Sequence, residues 1–386
     1  MLLFSSTVPV NTNGSFVIFH RHLRPLVDAG WKLKIISYFD PPAGETLWWE
    51  HIRLPFRRAF WPPAWPGCLS LMRLRARLLQ RHLVQHGLLE GPPPRVLLAN
   101  LWDPQAQVAA AFAASGAGRL GVFVHDDEIL WNAGAQPERY LKWNRRVVAA
   151  AASRLWPVSD RLAAQFDPAA RSRCRVMRPI PNALPFAAPE WRPEFGNGIR
   201  LGYAGKIYPG LWPLLARLVR QIPVGAGSLT VITDKEAIAS APFQEGPTFK
   251  MLPYFAKPDD SARWLQTHCS ALLVAHPLAE NLPNDRWQIL KSSFPSKLTE
   301  YSRVGLPLVL IGQDDSEFCT WVRSHTAIPF FTSPDSPACI SYLTALATPA
   351  GWSAATQQTA HLARSQFDPA KMQAEFVAEI TQLAAP

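Results

Sequence analysis

A hydroxyl, an ammonium and a carboxylate stand close together in the last third of the chain, with a spacing that suits binding of a phosphorylated ligand. Ser296, Lys297 and Glu300 occupy positions i, i+1 and i+4, so on a helix all three can face the same side. The free N–H groups and the positive dipole end of a helix start, beside an ammonium, favour a phosphate there. A solvated surface pair of Lys297 and Glu300 is the alternative, and the pattern alone leaves both open.

The elements that must position these side chains are one helix and one buried strand. Pro295 is suited to the first position of a helix, because its missing N–H costs nothing there, and Gly305 is suited to the helix end. The apolar run 306–311 predicts a short strand that is buried on both faces. The sequence therefore predicts a helix of about three turns that leads sharply into the core.

Ionisable residues also follow a predicted strand in the first half of the chain. His125, Asp126 and Asp127 come directly after the apolar run 120–124. Ligands of open parallel sheets bind beyond the carboxyl ends of the strands, and a histidine with carboxylates there can do acid–base work. Capping of the next helix by Asp126 or Asp127 is the other interpretation.

Two glycines occupy turns that follow predicted strands. Gly14 lies between the predicted first strand and the helix after it, and Gly205 precedes Lys206 at the end of a strand that opens near residue 199. Glycine lets the backbone approach a ligand closely, and Lys206 again places a cation near a helix start. An ordinary turn glycine and a surface lysine remain the alternatives. A full G-x-G-x-x-G is absent from the sequence, so the nicotinamide fingerprint is not predicted.

Composition and charge limit the class of protein. The chain has 386 residues, 48% hydrophobic and 18% charged, which is typical of a globular protein with room for two cores. The five cysteines are dispersed, which favours reduced thiols in the cytoplasm, and neither a secretion signal nor a membrane-spanning run is predicted. A net charge of +10 calls for an acidic partner: nucleic acid, an anionic membrane or a phosphorylated substrate.

The segment 47–87 has the most unusual composition in the chain, because tryptophans and arginines recur through it. Trp48 and Trp49 open it, and Arg73, Arg75 and Arg77 follow at helical spacing. Aromatic anchors with arginines are typical of a segment at a membrane–water interface, and also of a platform for single-stranded nucleic acid. A solvated basic helix with its tryptophans turned into the core is the third interpretation.

The stretch Pro-Ser-Lys-Leu-x-Glu-Tyr at 295–301, followed by Gly-x-Pro-x-Val at 305–309, resembles the donor-site motif of group 1 nucleotide-sugar glycosyltransferases. The resemblance implies an α/β protein made of two Rossmann-like domains facing across a cleft, the GT-B fold. It implies that Glu300 holds the ribose hydroxyls and that the helix start faces the diphosphate. Gly205-Lys206 resembles the Gly-Lys or Gly-Arg turn whose cation binds that diphosphate.

The resemblance also implies an activity: transfer of a sugar from a UDP- or GDP-linked donor to a hydroxyl of a lipid-linked or surface-polysaccharide precursor. His125, Asp126 and Lys206 are the expected catalytic residues, and Gly14, Gly205, Lys206, Ser296, Lys297 and Glu300 the expected donor-binding residues. No metal or further cofactor is expected. The family commonly has a glutamate eight residues before Glu300, where this chain has Ser292. The group that contacts the transferred sugar is therefore unassigned, as is the choice between inversion, with Asp126 or Asp127 as base, and retention.

The expected domains are residues 1–190 on the acceptor side, 191–368 on the donor side, and a final helix 369–386 that packs back on the first domain. The segment 47–87 is expected to hold the protein at the inner face of an anionic membrane, and no nucleic-acid partner is expected. Three other classes stay open: a phosphorylase or nucleotide-sugar epimerase of the same fold, a basic nucleic-acid-binding protein, and a catalytically inert partner protein.

Overall fold

A computed structural model of the chain divides it into two compact units. The N-terminal unit comprises residues 1–10, 14–178 and 373–386, and the C-terminal unit comprises residues 179–372. The structure describes every residue except 6–7, 11–13, 38–47, 54–73, 75–76, 79–80, 82–83, 86–95, 102, 104, 132–137, 183–188, 194–197, 223–226, 283–286 and 386.

Both units alternate strands with helices. The N-terminal unit has strands β1 Leu2–Phe4, β2 Lys34–Ser37, β3 Glu50–Arg53, β4 Val96–Asn100, β5 Arg119–Val124 and β6 Ala152–Pro157. Its helices before residue 179 are α1 Gly14–Asp28, α2 Gln105–Ala114, α3 Glu128–Trp131, α4 Glu138–Ala151, α5 Asp160–Ala164 and α6 Pro168–Arg171.

The C-terminal unit repeats the alternation. Its strands are β7 Ile199–Ala204, β8 Gly227–Thr233, β9 Phe249–Pro253, β10 Ala271–Ala275, β11 Leu308–Ile311 and β12 Phe330–Phe331. Its helices are α7 Trp212–Arg220, α8 Lys235–Ala239, α9 Pro258–His268, α10 Trp287–Ser292, α11 Ser296–Val304, α12 Glu317–His325, α13 Pro337–Leu346 and α14 Pro349–Ser365, and α15 Pro369–Ala384 ends the chain. Short 3-10 turns cover Pro209–Leu211 and Ala279–Asn281.

The two sheets have the same topology. The strand orders are β3-β2-β1-β4-β5-β6 and β12-β11-β10-β7-β8-β9, and the paired strands in both sheets are parallel. In each unit the chain runs outward from a central strand and then returns to its other side, so the order reverses between β1 and β4 and again between β7 and β10. The predicted class, an α/β protein of two Rossmann-like domains, is confirmed. The carboxyl ends of the strands at these two reversal points are where ligands of such sheets bind.

Local sequence signals set the ends of α11, the helix predicted first. Gly305 has φ +85°, the left-handed conformation that lets a helix end abruptly, as predicted. Pro295 is the N-cap in an extended conformation, not the first helical residue. The prediction was therefore wrong by one position, because proline's fixed φ near −72° fits the flanking residue equally well.

The sequence also predicts a strand from Val176 to Ala183, a helix cap at Asp314 or Asp315, and helix from there to the end of the chain. These three predictions are wrong. Residues 176–182 form no strand: the main chain bonds to the edge of β6 as far as Met177, and Pro179 and Pro181 cannot donate to a ladder. Ser316, and not Asp314 or Asp315, caps α12 by accepting a hydrogen bond from the Cys319 N–H at 3.1 Å. The short strand β12 interrupts a stretch that was predicted to be helical throughout.

The last helix completes the core of the N-terminal unit. Phe376, Ile380 and Leu383 on α15 are buried in the same apolar cluster as Trp156 and Phe123. The rings of Trp156 and Phe376 lie 5.5 Å apart at a steep angle, which is a favourable aromatic contact. This cluster also fixes the position of β5, the strand that ends at the ionisable residues 125–128.

Adding one methyl group inside this cluster should destabilise the N-terminal unit. A Cβ at Gly121 on β5 would stand 2.5 Å from Cζ3 of Trp156, so Gly121→Ala forces the indole to move. Overpacking of this kind costs about 1–3 kcal/mol, which thermal or urea unfolding would detect. Gly246→Ala is the matched control, because its added Cβ meets nothing within 4 Å and should leave stability nearly unchanged. Equal stabilities of the two variants would show that the packing around Trp156 is looser than described.

Candidate active site

The first turn of α11 places a lysine ammonium against the end of strand β7. Nζ of Lys297 lies 4.9 Å from the centre of the Tyr203 ring, a cation–π distance. The side chain also covers Gly205, where an added Cβ would stand 2.5 Å from Nζ. A Cβ at position 205 would displace the end of the Lys297 side chain from this place, so Gly205 and Lys297 are direct neighbours.

Two tyrosines hold the turn around Gly205. The hydroxyl of Tyr301 on α11 accepts a hydrogen bond from the Ala204 N–H at 2.5 Å and donates one to the Ala204 carbonyl at 3.0 Å. The hydroxyl of Tyr203 donates to the Lys206 carbonyl at 3.0 Å. Gly205 itself has φ +146°, which residues with side chains rarely adopt. The position of α11 and the shape of the turn are therefore fixed together.

Lys297 is an enclosed cation. The residue as a whole is partly exposed, yet burial of the ammonium lowers its pKa, and Tyr208 raises that pKa to a smaller extent. No salt bridge between residues that the structure describes involves Lys297. A positive charge that is removed from water without a carboxylate beside it is costly, and an anion bound there would offset this cost.

His276 lies at the same edge of the sheet, directly after β10. Its ring is buried, with the residue 8% exposed, and packs against Phe318 with 5.1 Å between ring centres. Burial, and then the charge of Lys297, lowers the pKa of His276 to about 3, so the ring is neutral at pH 7. His276 was not among the residues predicted from the sequence, although His276 follows an apolar strand just as His125 does.

The other predicted residues of this site lie along α11. Glu300 is partly buried one turn after Lys297 and accepts a hydrogen bond at 3.3 Å from Asn182, a buried residue that the sequence analysis missed. Ser296 is the first residue of the helix and is partly exposed. Ser296, Lys297 and Glu300 are thus on the helix that the sequence predicted, and their roles stay predictions.

For two of the predicted residues, Lys206 and Gly14, the structure describes few contacts or neighbours. Lys206 is exposed, and the contact described for it is made by its carbonyl oxygen. Gly14 is the first residue of α1, so it occupies a helix start as well as a turn after β1. Residues 11–13 before it lie outside the described part of the chain.

In the N-terminal unit the structure places two side chains with shifted pKa values directly after β5. Burial, with a smaller effect of His22, lowers the pKa of His125 to about 3, and its ring packs near Phe19 and Phe123 at 5.6 and 5.8 Å. Burial, with the charge of Asp127, raises the pKa of Asp126 to about 7. Asp126 can therefore change its protonation state near neutral pH, as a general acid or base must.

Asp127 is not available as a catalytic base. Its carboxylate accepts hydrogen bonds from the N–H groups of Ile129 at 3.1 Å and Leu130 at 3.3 Å, so it caps α3. Arg145 on α4 donates to it at 2.8 Å and to Glu128 at 2.5 Å. The structure thus supports the capping interpretation of Asp127. The same carboxylate also forms an ion pair with Arg145.

The aromatic and basic segment is only partly described. Trp49 is 6% exposed and belongs to the core of the N-terminal unit, so its interpretation as a membrane contact is wrong. Trp48 is partly buried against that core. Arg77 is exposed, while Arg73 and Arg75 lie outside the described residues.

Neither a metal-binding cluster nor a membrane span is found among the described residues. No group of three or more histidine, cysteine, aspartate or glutamate side chains is placed to hold a metal ion in the part of the chain that is described. Among those same residues, no helix combines the length and the apolar character that a membrane span needs.

Comparison with solved structures identifies the fold as GT-B, the fold of nucleotide-sugar glycosyltransferases. HepE from Anabaena in complex with UDP-glucose is 15% identical over 99% of both chains, with a TM-score of 0.63. WaaG, a glycosyltransferase involved in lipopolysaccharide biosynthesis, is 14% identical over 99% of this chain and 100% of its own, with a TM-score of 0.60. The trehalose 6-phosphate synthase of Burkholderia multivorans is 11% identical over 100% and 98%, with a TM-score of 0.62. No protein-family model and no curated protein matches the sequence.

The raised pKa of Asp126 predicts a specific dependence of stability on pH. Between its ordinary pKa of 3.8 and its folded pKa of about 7, the folded protein holds a proton that the unfolded chain has lost. Stability is therefore lost as pH rises from about 4 to 7, by roughly 2–4 kcal/mol in total. Asp126→Asn should remove this loss, being more stable than the wild type at pH 8 and equal to it near pH 4.

The measurement is the unfolding temperature of both proteins from pH 4 to pH 8. Glu236→Gln, which neutralises an exposed carboxylate on α8, is the control and should run parallel to the wild type. Parallel curves for Asp126→Asn and the wild type would show that Asp126 is charged in the folded protein throughout this range.

Proposed function

We propose that this protein is a glycosyltransferase that moves a sugar from a nucleotide-diphosphate sugar to an acceptor hydroxyl. The observation that carries the proposal is the enclosed ammonium of Lys297, which lies over Gly205 at the start of α11 without a described carboxylate partner. A cation, free N–H groups and a helix dipole converge there, which is the recognised chemistry of phosphate binding. HepE, a structure of the same fold, contains UDP-glucose.

In this proposal the C-terminal unit stabilises the leaving nucleotide. As the bond between sugar and phosphate breaks, negative charge grows on the diphosphate, and Lys297, Ser296 and the first N–H groups of α11 stabilise it. Lys206 adds a second, exposed cation next to Gly205. Glu300 accepts hydrogen bonds from the ribose hydroxyls. These groups supply the stabilisation that a bound metal ion supplies in other transferases, so we propose a metal-independent reaction.

We assign the chemistry at the acceptor to the end of β5. Asp126, with a pKa of about 7, is the carboxyl suited to accept the proton of the attacking hydroxyl in an inverting reaction. His125 is neutral at pH 7 and serves as a hydrogen-bonding group, not as a charged one. Asp127, fixed by Arg145, keeps the strand end in place.

We further propose that the acceptor is a lipid-linked or surface-polysaccharide precursor, reached from the inner face of a membrane. The support is the basic character of segment 74–85, in which Arg77 and the apolar Leu74, Leu78 and Val84 are exposed. An exposed mixture of arginine and aliphatic side chains suits an anionic interface. The acceptor domain then corresponds to residues 1–190 and the donor domain to 191–368.

Removing the Lys297 ammonium should weaken nucleotide binding without lowering the stability of the protein. Lys297→Met should weaken UDP binding by about 10-fold or more, because a hydrogen bond to a charged group contributes roughly 1.5–3 kcal/mol. Its unfolding temperature should stay equal or rise, because a costly enclosed charge is replaced by an apolar chain of similar length. Isothermal titration and thermal unfolding with UDP and GDP measure the two effects. Lys371→Met, at an exposed site on α15, is the control that should change neither.

Glu300→Gln tests the proposed contact between Glu300 and the ribose in the same binding experiment. It should weaken UDP binding but leave the affinity for inorganic pyrophosphate unchanged, since pyrophosphate has no ribose. A wild-type protein whose unfolding temperature responds to no nucleotide, nucleotide sugar or pyrophosphate would rule out the proposed function.

The membrane proposal has its own test. Replacing Arg73, Arg75 and Arg77 by glutamine should weaken the affinity for anionic vesicles by up to about 100-fold, measured by sedimentation, because each basic residue near the surface contributes about 1 kcal/mol. A second triple variant removes the same charge elsewhere, at Arg220, Arg323 and Arg364. If the two variants bind vesicles equally, the loss of vesicle binding results from the lower net charge alone. That result would contradict a membrane role for the segment.

A further inference from the structure

We infer that His276 is a further ligand-binding residue of the proposed donor site, where its Nε2–H donates a hydrogen bond to a phosphate oxygen of the nucleotide. The inference rests on the proposed function and adds to it a residue that the motif of α11 does not contain. It also assigns the chemical form of the ring, a neutral imidazole with its proton on Nε2.

The position of His276 follows from the sheet. It directly continues β10, which pairs with β7 on one side and with β11 on the other. Its backbone N–H donates to the carbonyl of Ile311 at 3.0 Å, so the residue stays in register with the end of β11. The chain order reverses between β7 and β10, and strand ends at such a point line the ligand site of this kind of sheet. His276 therefore stands at the edge where Gly205 ends β7.

The charge of Lys297 acts on His276. After burial, this charge is the second cause of the lowered pKa of His276. An ammonium and an imidazole that interact in this way can contact the same anion. A neutral donor suits the place next to Lys297, because a second positive charge there would be repelled.

The surroundings of the ring decide which nitrogen carries the proton. Nδ1 is sealed from solvent and has no hydrogen-bond partner. An N–H on Nδ1 would be a buried donor without an acceptor, and buried N–H groups without an acceptor are rare in folded proteins. The proton is therefore on Nε2, which is left to donate to a ligand.

A purely structural role explains the residue less well. The described contact of the ring is its packing against Phe318, and an apolar side chain would make that contact without a polar atom to bury. A buried polar group without a partner costs about 1–3 kcal/mol. An apolar side chain would avoid this cost, but it would have no Nε2–H to donate to a ligand.

Two amide substitutions separate the two ring nitrogens. In His276→Gln the side-chain amide reaches the place of Nε2, whereas in His276→Asn it reaches only the place of Nδ1. At pH 7 we expect His276→Asn to weaken the binding of UDP and of inorganic pyrophosphate about 10-fold, and His276→Gln to stay within about threefold of the wild type. Isothermal titration measures both, and thermal unfolding without ligand shows whether each variant is folded.

Equal affinities of His276→Asn and the wild type would overturn the inference. A loss for UDP without a loss for pyrophosphate would also overturn it, because the contact would then not be with phosphate. If wild-type protein binds neither UDP, GDP nor pyrophosphate, the proposed function fails as well. Binding by the wild type with an unaffected His276→Asn variant removes only this inference.

Nitrogen-15 NMR of the wild-type protein tests the assignment without any substitution. Long-range couplings between ring protons and nitrogens show which nitrogen carries the proton, and we expect the Nε2–H form at pH 7. The Nε2 signal should shift when pyrophosphate is added. A proton on Nδ1, or a ring whose signals ignore pyrophosphate, would overturn the inference even if the variants did not fold.

Discussion

The rest of the proposed donor site depends on one interaction, the packing of the Lys297 ammonium against Gly205 and the Tyr203 ring. Gly205 leaves room for the ammonium, since a Cβ there would displace the end of the Lys297 side chain, and the start of α11 beside Pro295 puts Lys297 in the first turn. Tyr301 ties the helix to Ala204, so the distance between cation and turn is fixed before a ligand binds. A preorganised charge of this kind stabilises an anion without first having to move.

The ionisable groups at the strand ends divide into two kinds. Asp127 caps α3 and pairs with Arg145, which makes it part of the framework. His125 and His276 are kept neutral by burial, and Asp126 titrates near pH 7. Residues whose protonation is set by burial and not by a partner are those that a substrate can still influence. Asp127 and the proposed base Asp126 thus differ by their partners, although they are neighbours in sequence.

The similarity to HepE, at 15% identity over 99% of both chains, shows how little sequence the fold requires. The shared topology depends on apolar strands that alternate with helices, a pattern that many different sequences can supply. The identity of the donor and of the acceptor depends on side chains at the edges of these sheets, where this chain has its own set. Ser292, at a position where a glutamate is common in the resembled family, is one of these differences, and its side chain is buried.

The sequence by itself determined the features that depend on neighbours along the chain: the end of α11 at Gly305, most strands, and the places where strands end in polar residues. The tertiary structure decided what those residues meet. Tyr301 contacts Ala204 97 positions away, Arg145 reaches Asp127 from another helix, and Trp49 turns into a core that α15 completes. His276 was missed for the same reason, because only the pairing of β10 with β7 brings it beside Lys297. Periodicity and turn residues are local, whereas burial and charge pairing are set by contacts between distant parts of the chain.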